Sequence, residues 1–87
     1  MQTFLHRQFL KKYQKLPKTV QNTFVERTHL LLTDPTHPLL RIHSLRGSLE
    51  PQKSMNITGD YRALFIVDEQ KQTITFLQID THSELYK

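Results

Sequence analysis

The side chains best suited to chemistry stand close together near the C-terminal end of the sequence. His82 and Tyr86 lie in the segment THSELYK (81–87), directly after the apolar run TITFLQI (73–79). That run predicts a strand, so both side chains are expected just beyond a strand end. An imidazole moves protons near neutral pH, and a phenol stacks on a base or donates a hydrogen bond. The pair therefore indicates acid–base chemistry or nucleic-acid contact at the edge of a small domain.

Arg62 is a third candidate, at the start of the predicted strand DYRALFIVD (60–68). Strand alternation places it at the head of an otherwise apolar row. An unpaired guanidinium is costly to bury. Arg62 should therefore either pair with an acid such as Asp60 or Glu84, or face an open groove that accepts an anion.

The first third of the chain has the spacing of two helices. Apolar residues recur at helical intervals up to Pro17, which ends the first helix and suits the first turn of the next. The second helix should end at DPTHP (34–38). The two buried stripes predict a helical hairpin; they comprise Leu5, Phe9, Tyr13 and Leu16, and then Val20, Phe24 and Leu31.

Beyond Pro38, β-branched and aromatic residues alternate with turn residues, which is typical of sheet. Strands are predicted over 53–58, 60–68 and 73–80, forming an antiparallel meander. The predicted fold class is α+β: an N-terminal helical hairpin packed on a small, twisted antiparallel sheet of three to four strands, with a short C-terminal turn or helix.

Length and composition restrict the architecture and the chemistry. The 87 residues predict one domain over 1–87, since a second core would be too small to be stable. There is no cysteine, and the five histidines show no metal-binding spacing, so neither disulfide, metal nor cofactor is expected. No signal peptide or membrane span is recognisable, which predicts a soluble cytoplasmic protein.

The charge is uneven along the chain. The net charge is +4, and residues 1–62 hold ten Lys or Arg against four acids, whereas residues 63–87 hold two against four. This balance favours a polyanion such as nucleic acid, or a strongly acidic protein, as the partner. The alternative is a solvated basic face without a partner.

Three segments carry a resemblance to a known family. LRIHSLRG (40–47), SMNITGDYRALF (54–65) and IDTHSELY (79–86), in this order of elements, resemble the RelE/ParE superfamily of bacterial toxins, most closely its RelE and YafQ branches. The resemblance extends over nearly the whole chain. It implies the RelE-like microbial ribonuclease architecture, and a toxin that cleaves mRNA on the ribosome and is held inactive by a cognate antitoxin.

The resemblance also implies roles for individual residues. RNA cleavage without metal needs a base for the 2′-OH, groups that stabilise the phosphorane, and an acid for the leaving 5′-oxygen. The family positions match a catalytic set of His43, Asp60, Arg62, His82 and Tyr86, with Arg62 on the scissile phosphate and Tyr86 stacking or orienting. The expected RNA-binding residues are Lys11, Lys12, Lys15, Lys18, Arg46, Lys53 and Asn56.

One strand departs from the family pattern. Where such toxins usually offer lysines or a histidine to the cleft, alternation places Ser54 and Asn56, while Lys53 lies on the Met55 face or at the strand start. The catalytic burden then shifts to His43, Arg62 and His82.

Each assigned residue also has a structural interpretation. His82 can satisfy a carbonyl at a strand end, His43 can be a hydrogen-bonded core or loop residue, and Asp60 can serve its turn. Tyr86 can anchor the C-terminal segment on the sheet. The remaining histidines are expected at the surface or on helices: His6, His29 and His37.

Three functions are consistent with these residues. The first is a ribosome-dependent mRNA endonuclease whose partners are mRNA, ribosomal RNA and an antitoxin. The second is a ParE-like protein that binds DNA gyrase and has no nuclease site. The third is an inactive module that binds only an antitoxin, an alternative that Ser54 and Asn56 keep open.

Overall fold

The computed structural model describes all residues, 1–87, and shows an α+β domain. In chain order the elements are β1 (Gln2–Leu5), α1 (Arg7–Tyr13), α2 (Lys18–Thr33), β2 (His43–Ser44), β3 (Lys53–Asn56), β4 (Tyr61–Asp68), β5 (Thr73–Thr81) and α3 (His82–Leu85). Two 3₁₀ turns, Pro38–Leu40 and Gly47–Leu49, flank β2. No helix is both long and apolar enough to cross a membrane.

The sheet has five strands in the order β1-β5-β4-β3-β2. Neighbours are antiparallel except at β1, which pairs in parallel with β5. The prediction of three to four antiparallel strands was therefore wrong in two respects: the sheet has five strands, and one of its strand pairs is parallel. Residues assigned to the start of a helix form β1 instead, and α1 begins only at Arg7.

The helices pack on one face of this sheet. Both predicted helices are present, but α1 has only seven residues and packs mainly on β5 rather than along α2 as in a hairpin. Its contacts with α2 are made by side chains, such as the Tyr13 hydroxyl donating to the Gln21 carbonyl (3.1 Å). Phe9, Phe24 and Phe76 join the three elements, with ring centroids 5.0 to 5.7 Å apart. They belong to a single cluster of 13 buried side chains. Burying a phenylalanine contributes ~1.5–3 kcal/mol, so this aromatic group fixes how the helices sit on the sheet.

A bulge in β5 allows apolar residues at even and odd positions of this strand to face the same core. Leu64 pairs with Gln78 but Phe65 pairs with Phe76, so Leu77 is an extra residue. Without it, the even-numbered Phe76 and the odd-numbered Ile79 would face opposite sides of the sheet. With it, both side chains are buried in the core cluster.

Two of the three unassigned histidines start helical segments. His6 caps α1, where its Nδ1 accepts a hydrogen bond from the backbone of Gln8 (3.1 Å). His37 caps the first 3₁₀ turn, with its Nδ1 accepting from Leu39 (3.1 Å). Each satisfies a backbone N–H that the first turn leaves free, while His29 is exposed on α2.

Candidate active site

The face of the sheet opposite the helices, here called the second face, carries most of the predicted site. Strand pairing fixes two rows on it: His43, Ser54, Leu64 and Gln78 in one, and Asn56, Arg62 and Asp80 in the other. Ser54 and Asn56 thus share this face, as alternation predicted. Ser54 and Leu64 are fully buried, whereas Asn56, Arg62 and Asp80 are partly accessible. The second face is therefore covered in its middle and open at the end near the β3–β4 turn.

Arg62 is held by backbone carbonyls rather than by an acid. One terminal nitrogen donates to the carbonyl oxygens of Thr58 (3.3 Å), Gly59 (3.2 Å) and Tyr61 (3.1 Å). No carboxylate lies within 4 Å of its guanidinium, and the residue lines an open cleft. Of the two environments considered for Arg62, the structure shows the groove. The fixed guanidinium has further donors that remain free for an anion.

The residues Asp60, His82 and Tyr86 meet where β4 begins and β5 ends. The backbone N–H of His82 donates to the carbonyl of Asp60 (3.0 Å), which ties the start of α3 to the start of β4. The rings of His82 and Tyr86 contact each other, with centroids 4.7 Å apart. His82 is exposed, but the Tyr86 hydroxyl is buried and has no hydrogen-bond partner. The tyrosine ring is thus placed to orient the imidazole.

His43 faces the same side from the far edge of the sheet. Its Nδ1 lies 3.2 Å from the carbonyl oxygen of Arg41. A carbonyl only accepts, so this contact places a proton on Nδ1 and, in the neutral ring, leaves the Nε2 lone pair free to take one. Counting strand spacings, the Cα atoms of His43 and Arg62 are about 12 Å apart.

Lys12 reaches this region from α1. Its Nζ lies 3.3 Å from the carboxylate of Asp80, the residue paired with Arg62 on β4. Asp80 therefore bonds to a lysine on another element instead of to its arginine neighbour. The ion pair keeps an acidic group from occupying the guanidinium of Arg62.

The other predicted RNA-binding residues do not form one surface. Lys11, Lys15 and Lys18 are exposed around the α1–α2 junction, and Arg46 is exposed before the second 3₁₀ turn. Lys53 pairs with Phe65 and lines an apolar pocket on the helical face. Lys53 is thus on the opposite side of the sheet from Arg62, consistent with its position in the strand pattern.

Two arginines that were not predicted as site residues lie beside Arg62. Arg27 of α2 and Arg41 line the same cleft as Arg62 and Asn56. Arg41 stands within LRIHSLRG, so the motif contained it, but Arg27 is an isolated cation in an ordinary helix face. Nothing in the sequence shows that the loop after α2 brings it there.

Comparison with known proteins identifies the fold. The chain has the fold of RelE/ParE-superfamily toxins, as the sequence motifs predicted. It is similar to YafQ from E. coli strain BL21(DE3), with a TM-score of 0.81 and 17% identity over 98% of this chain and 97% of YafQ.

Two further solved structures are similar over most of their length. A YoeB/ParE toxin from Agrobacterium tumefaciens has a TM-score of 0.80 and 18% identity over 94% of this chain and 99% of its own. The toxin–antitoxin complex RelBE2 from Mycobacterium tuberculosis has a TM-score of 0.77 and 23% identity, covering 93% and 96%. No protein-family model and no curated protein matches the sequence. What the chain shares with these structures is therefore the fold.

Proposed function

We propose that this protein is the toxin of a toxin–antitoxin system and an endoribonuclease that cleaves mRNA on the ribosome. The observation that carries the proposal is the combination of fold and site. A RelE-like fold covers nearly the whole chain. His82 contacts the Asp60 carbonyl and the Tyr86 ring, and Arg62 pairs with Asp80, two residues before His82.

The proposed reaction is attack of the ribose 2′-OH on the adjacent phosphorus, without a metal ion. His43 takes the 2′-OH proton on Nε2, since its Nδ1 is held by the Arg41 carbonyl. Arg62 stabilises the charge that grows on the phosphorane oxygens. His82 gives a proton to the departing 5′-oxygen, and Tyr86 fixes its ring. Asp60 holds the start of α3 through its backbone carbonyl.

The proposed partners follow from the charge and the fold. In this proposal the basic helical region contacts ribosomal RNA and the second face holds mRNA. The protein then acts in the cytoplasm, where translation takes place. A cognate antitoxin covers the site or the basic face with acidic or amphipathic segments that fold on binding. RelBE2, with the same fold, is a toxin–antitoxin complex.

The test is primer extension on mRNA in a translating extract. Arg62→Ala and His82→Ala should each lower cleavage at least ~100-fold, since each removes a group acting in the transition state. His29→Ala is the matched control, because His29 is an exposed histidine on α2. Full cleavage by both site variants would overturn the mechanism. Inhibition of DNA supercoiling by gyrase with no RNA cleavage would instead identify a ParE-like toxin.

A further inference from the structure

The cleft next to the proposed catalytic site has an unusual charge. Its volume is about 570 Å³, and it opens between α2, the segment after the first 3₁₀ turn and the β3–β4 turn. Three arginines line it, Arg27, Arg41 and Arg62, and no acidic residue does. Three guanidinium groups around one cleft repel one another unless an anion lies between them.

Arg27 contributes a donor without an acceptor. Its Nε is buried, and no hydrogen-bond acceptor of the protein lies within reach. No carboxylate pairs with its guanidinium either. Buried donors in proteins are rarely left without a partner. The Nε atom itself is closed to the cleft, so an anion there bonds to the terminal nitrogens of this half-buried guanidinium, which no carboxylate neutralises.

Arg41 is held in a backbone conformation that arginine seldom adopts. Its φ and ψ are 45° and 46°, in the left-handed region. Glycine adopts this conformation without strain, whereas a side chain raises its energy. A non-glycine residue held there points to a function for its side chain. At Arg41 the available function is its charge, since the residue lines the cleft.

We propose that this cleft is a second phosphate-binding site for the RNA strand, next to the scissile position. Arg27 and Arg41 bind the phosphate next to the scissile one along the strand, and Arg62 lies between the two phosphates. Arg62 belongs both to the cleft and to the row that contains Asp80. That continuity favours a polymer with regularly spaced phosphates over an isolated carboxylate. The identity of the ligand as RNA rests on the proposed function; the anion site itself does not.

The test measures binding of a 2′-O-methyl RNA oligonucleotide, which cannot be cleaved through its 2′ position. Arg27→Gln and Arg41→Gly should each weaken binding roughly fivefold to tenfold. Each should also reduce the salt dependence of binding by about 0.7 in the log–log slope, the value for one lost contact to a single strand. In the unaltered protein, addition of the oligonucleotide should shift the NMR resonance of the Arg27 Nε–H group.

Gln72→Gly is the matched control for Arg41→Gly. Gln72 is the other non-glycine residue with a positive φ (55°), and it lies in the β4–β5 turn at the far end of the sheet. Both changes relieve backbone strain at a positive φ, but Gln72→Gly also removes the hydrogen bond from its Nε2 to the Glu69 carbonyl (2.7 Å), so thermal melting of both variants accompanies the binding measurement. Only Arg41→Gly should bind RNA more weakly. Arg7→Gln, a lost charge on exposed α1, controls for net charge.

The outcomes separate this proposal from the nuclease assignment. Binding by Arg27→Gln and Arg41→Gly equal to that of Arg7→Gln would overturn the phosphate site, even if mRNA cleavage is intact. If binding of poly-glutamate of matched charge depends on Arg27 and Arg41 as strongly as RNA binding does, the cleft is a carboxylate site and the RNA assignment is overturned. Arginine-dependent RNA binding without any cleavage would support the site and refute the nuclease.

Discussion

At the scale of single residues, the Tyr86 ring and its hydroxyl have different roles. The hydroxyl is buried without a partner, while the ring contacts His82. Tyr86→Phe should therefore keep mRNA cleavage within about twofold and leave stability equal or slightly higher, because an unsatisfied buried hydroxyl costs ~1 kcal/mol. Tyr86→Ala should lose cleavage strongly, although His82 remains. Primer extension and thermal melting check both; loss of cleavage in the phenylalanine variant would assign the chemistry to the hydroxyl.

Ser54 is a second buried hydroxyl, at a position where the family pattern places a cleft-facing lysine or histidine. It is fully buried and its Oγ has no hydrogen-bond partner, so it does not reach RNA. Ser54→Ala should raise the free energy of unfolding by ~1 kcal/mol and leave cleavage unchanged. Urea denaturation and primer extension measure the two effects. A loss of cleavage in a stable Ser54→Ala protein would place the hydroxyl in the reaction.

Residue types revealed part of the candidate site, and backbone geometry supplied the rest. Strand alternation grouped Ser54 with Asn56 on one face of β3, because the pattern of a strand is regular over short distances. The register between β3 and β4 then puts Arg62 on the same side of the sheet. The contact between His43 and the Arg41 carbonyl depends on a left-handed residue that no composition rule identifies. Arg27 joins the cleft only through tertiary packing.

At the scale of elements, the short helix α3 depends on its cap. The Oγ1 of Thr81 accepts a hydrogen bond from the backbone N–H of Glu84 (3.3 Å). Thr81 directly precedes His82, so this cap holds the turn that carries His82 and Tyr86. Thr81→Ala should destabilise this turn by ~1 kcal/mol and lower cleavage, with little change in global melting. Thr81→Ser keeps the oxygen and should restore cleavage. Equal loss in both variants would show that the methyl group, not the cap, matters.

The ion pair between α1 and β5 makes a second prediction at this scale. Lys12 neutralises Asp80, which otherwise faces Arg62 across the strand pair. Lys12→Met should weaken RNA binding more than Lys11→Met, although each removes one exposed charge, because Asp80 then attracts Arg62. Adding Asp80→Asn to Lys12→Met should recover most of that difference. Fluorescence titration with the 2′-O-methyl oligonucleotide measures the binding free energy of each variant. If the effects of Lys12→Met and Asp80→Asn simply add, the two residues are not coupled.

The type of each element was predictable where its sequence pattern was long. The strand β1 and the bulge in β5 were not predictable. The stripes ending at Leu16 and Leu31 are buried except at Leu5, which is exposed in β1, and Tyr13, which is half-buried. The rest was predictable because a helical period lasts over many residues. Gln2–Leu5 is four residues long and has no buried residue, so it carries no alternation of buried and exposed positions that marks a strand. The Leu77 bulge likewise follows from pairing between distant strands, which no local window contains.

At the scale of the whole molecule, the excess positive charge extends beyond the candidate site. Lys11, Lys15 and Lys18 project from the helical region, while Arg27, Arg41 and Arg62 surround the cleft. The first group suits long-range attraction of a polyanion, and the second suits fixed contacts to individual phosphates. Lysines of the first group should therefore mainly affect association rates, and arginines of the cleft dissociation rates.

The pairing of β1 with β5 governs the order in which the domain folds. Gln2 aligns with Thr73, so this contact closes a loop containing almost the entire chain, and its four residues bury little surface in return. Such a strand docks late and detaches early. In native-state hydrogen exchange, the amides of Gln2 and His6, which donate to the carbonyls of Gln72 and Phe76, should exchange well before those shared by β4 and β5. The domain is then a stable core with a detachable first strand, whose release exposes one edge of β5.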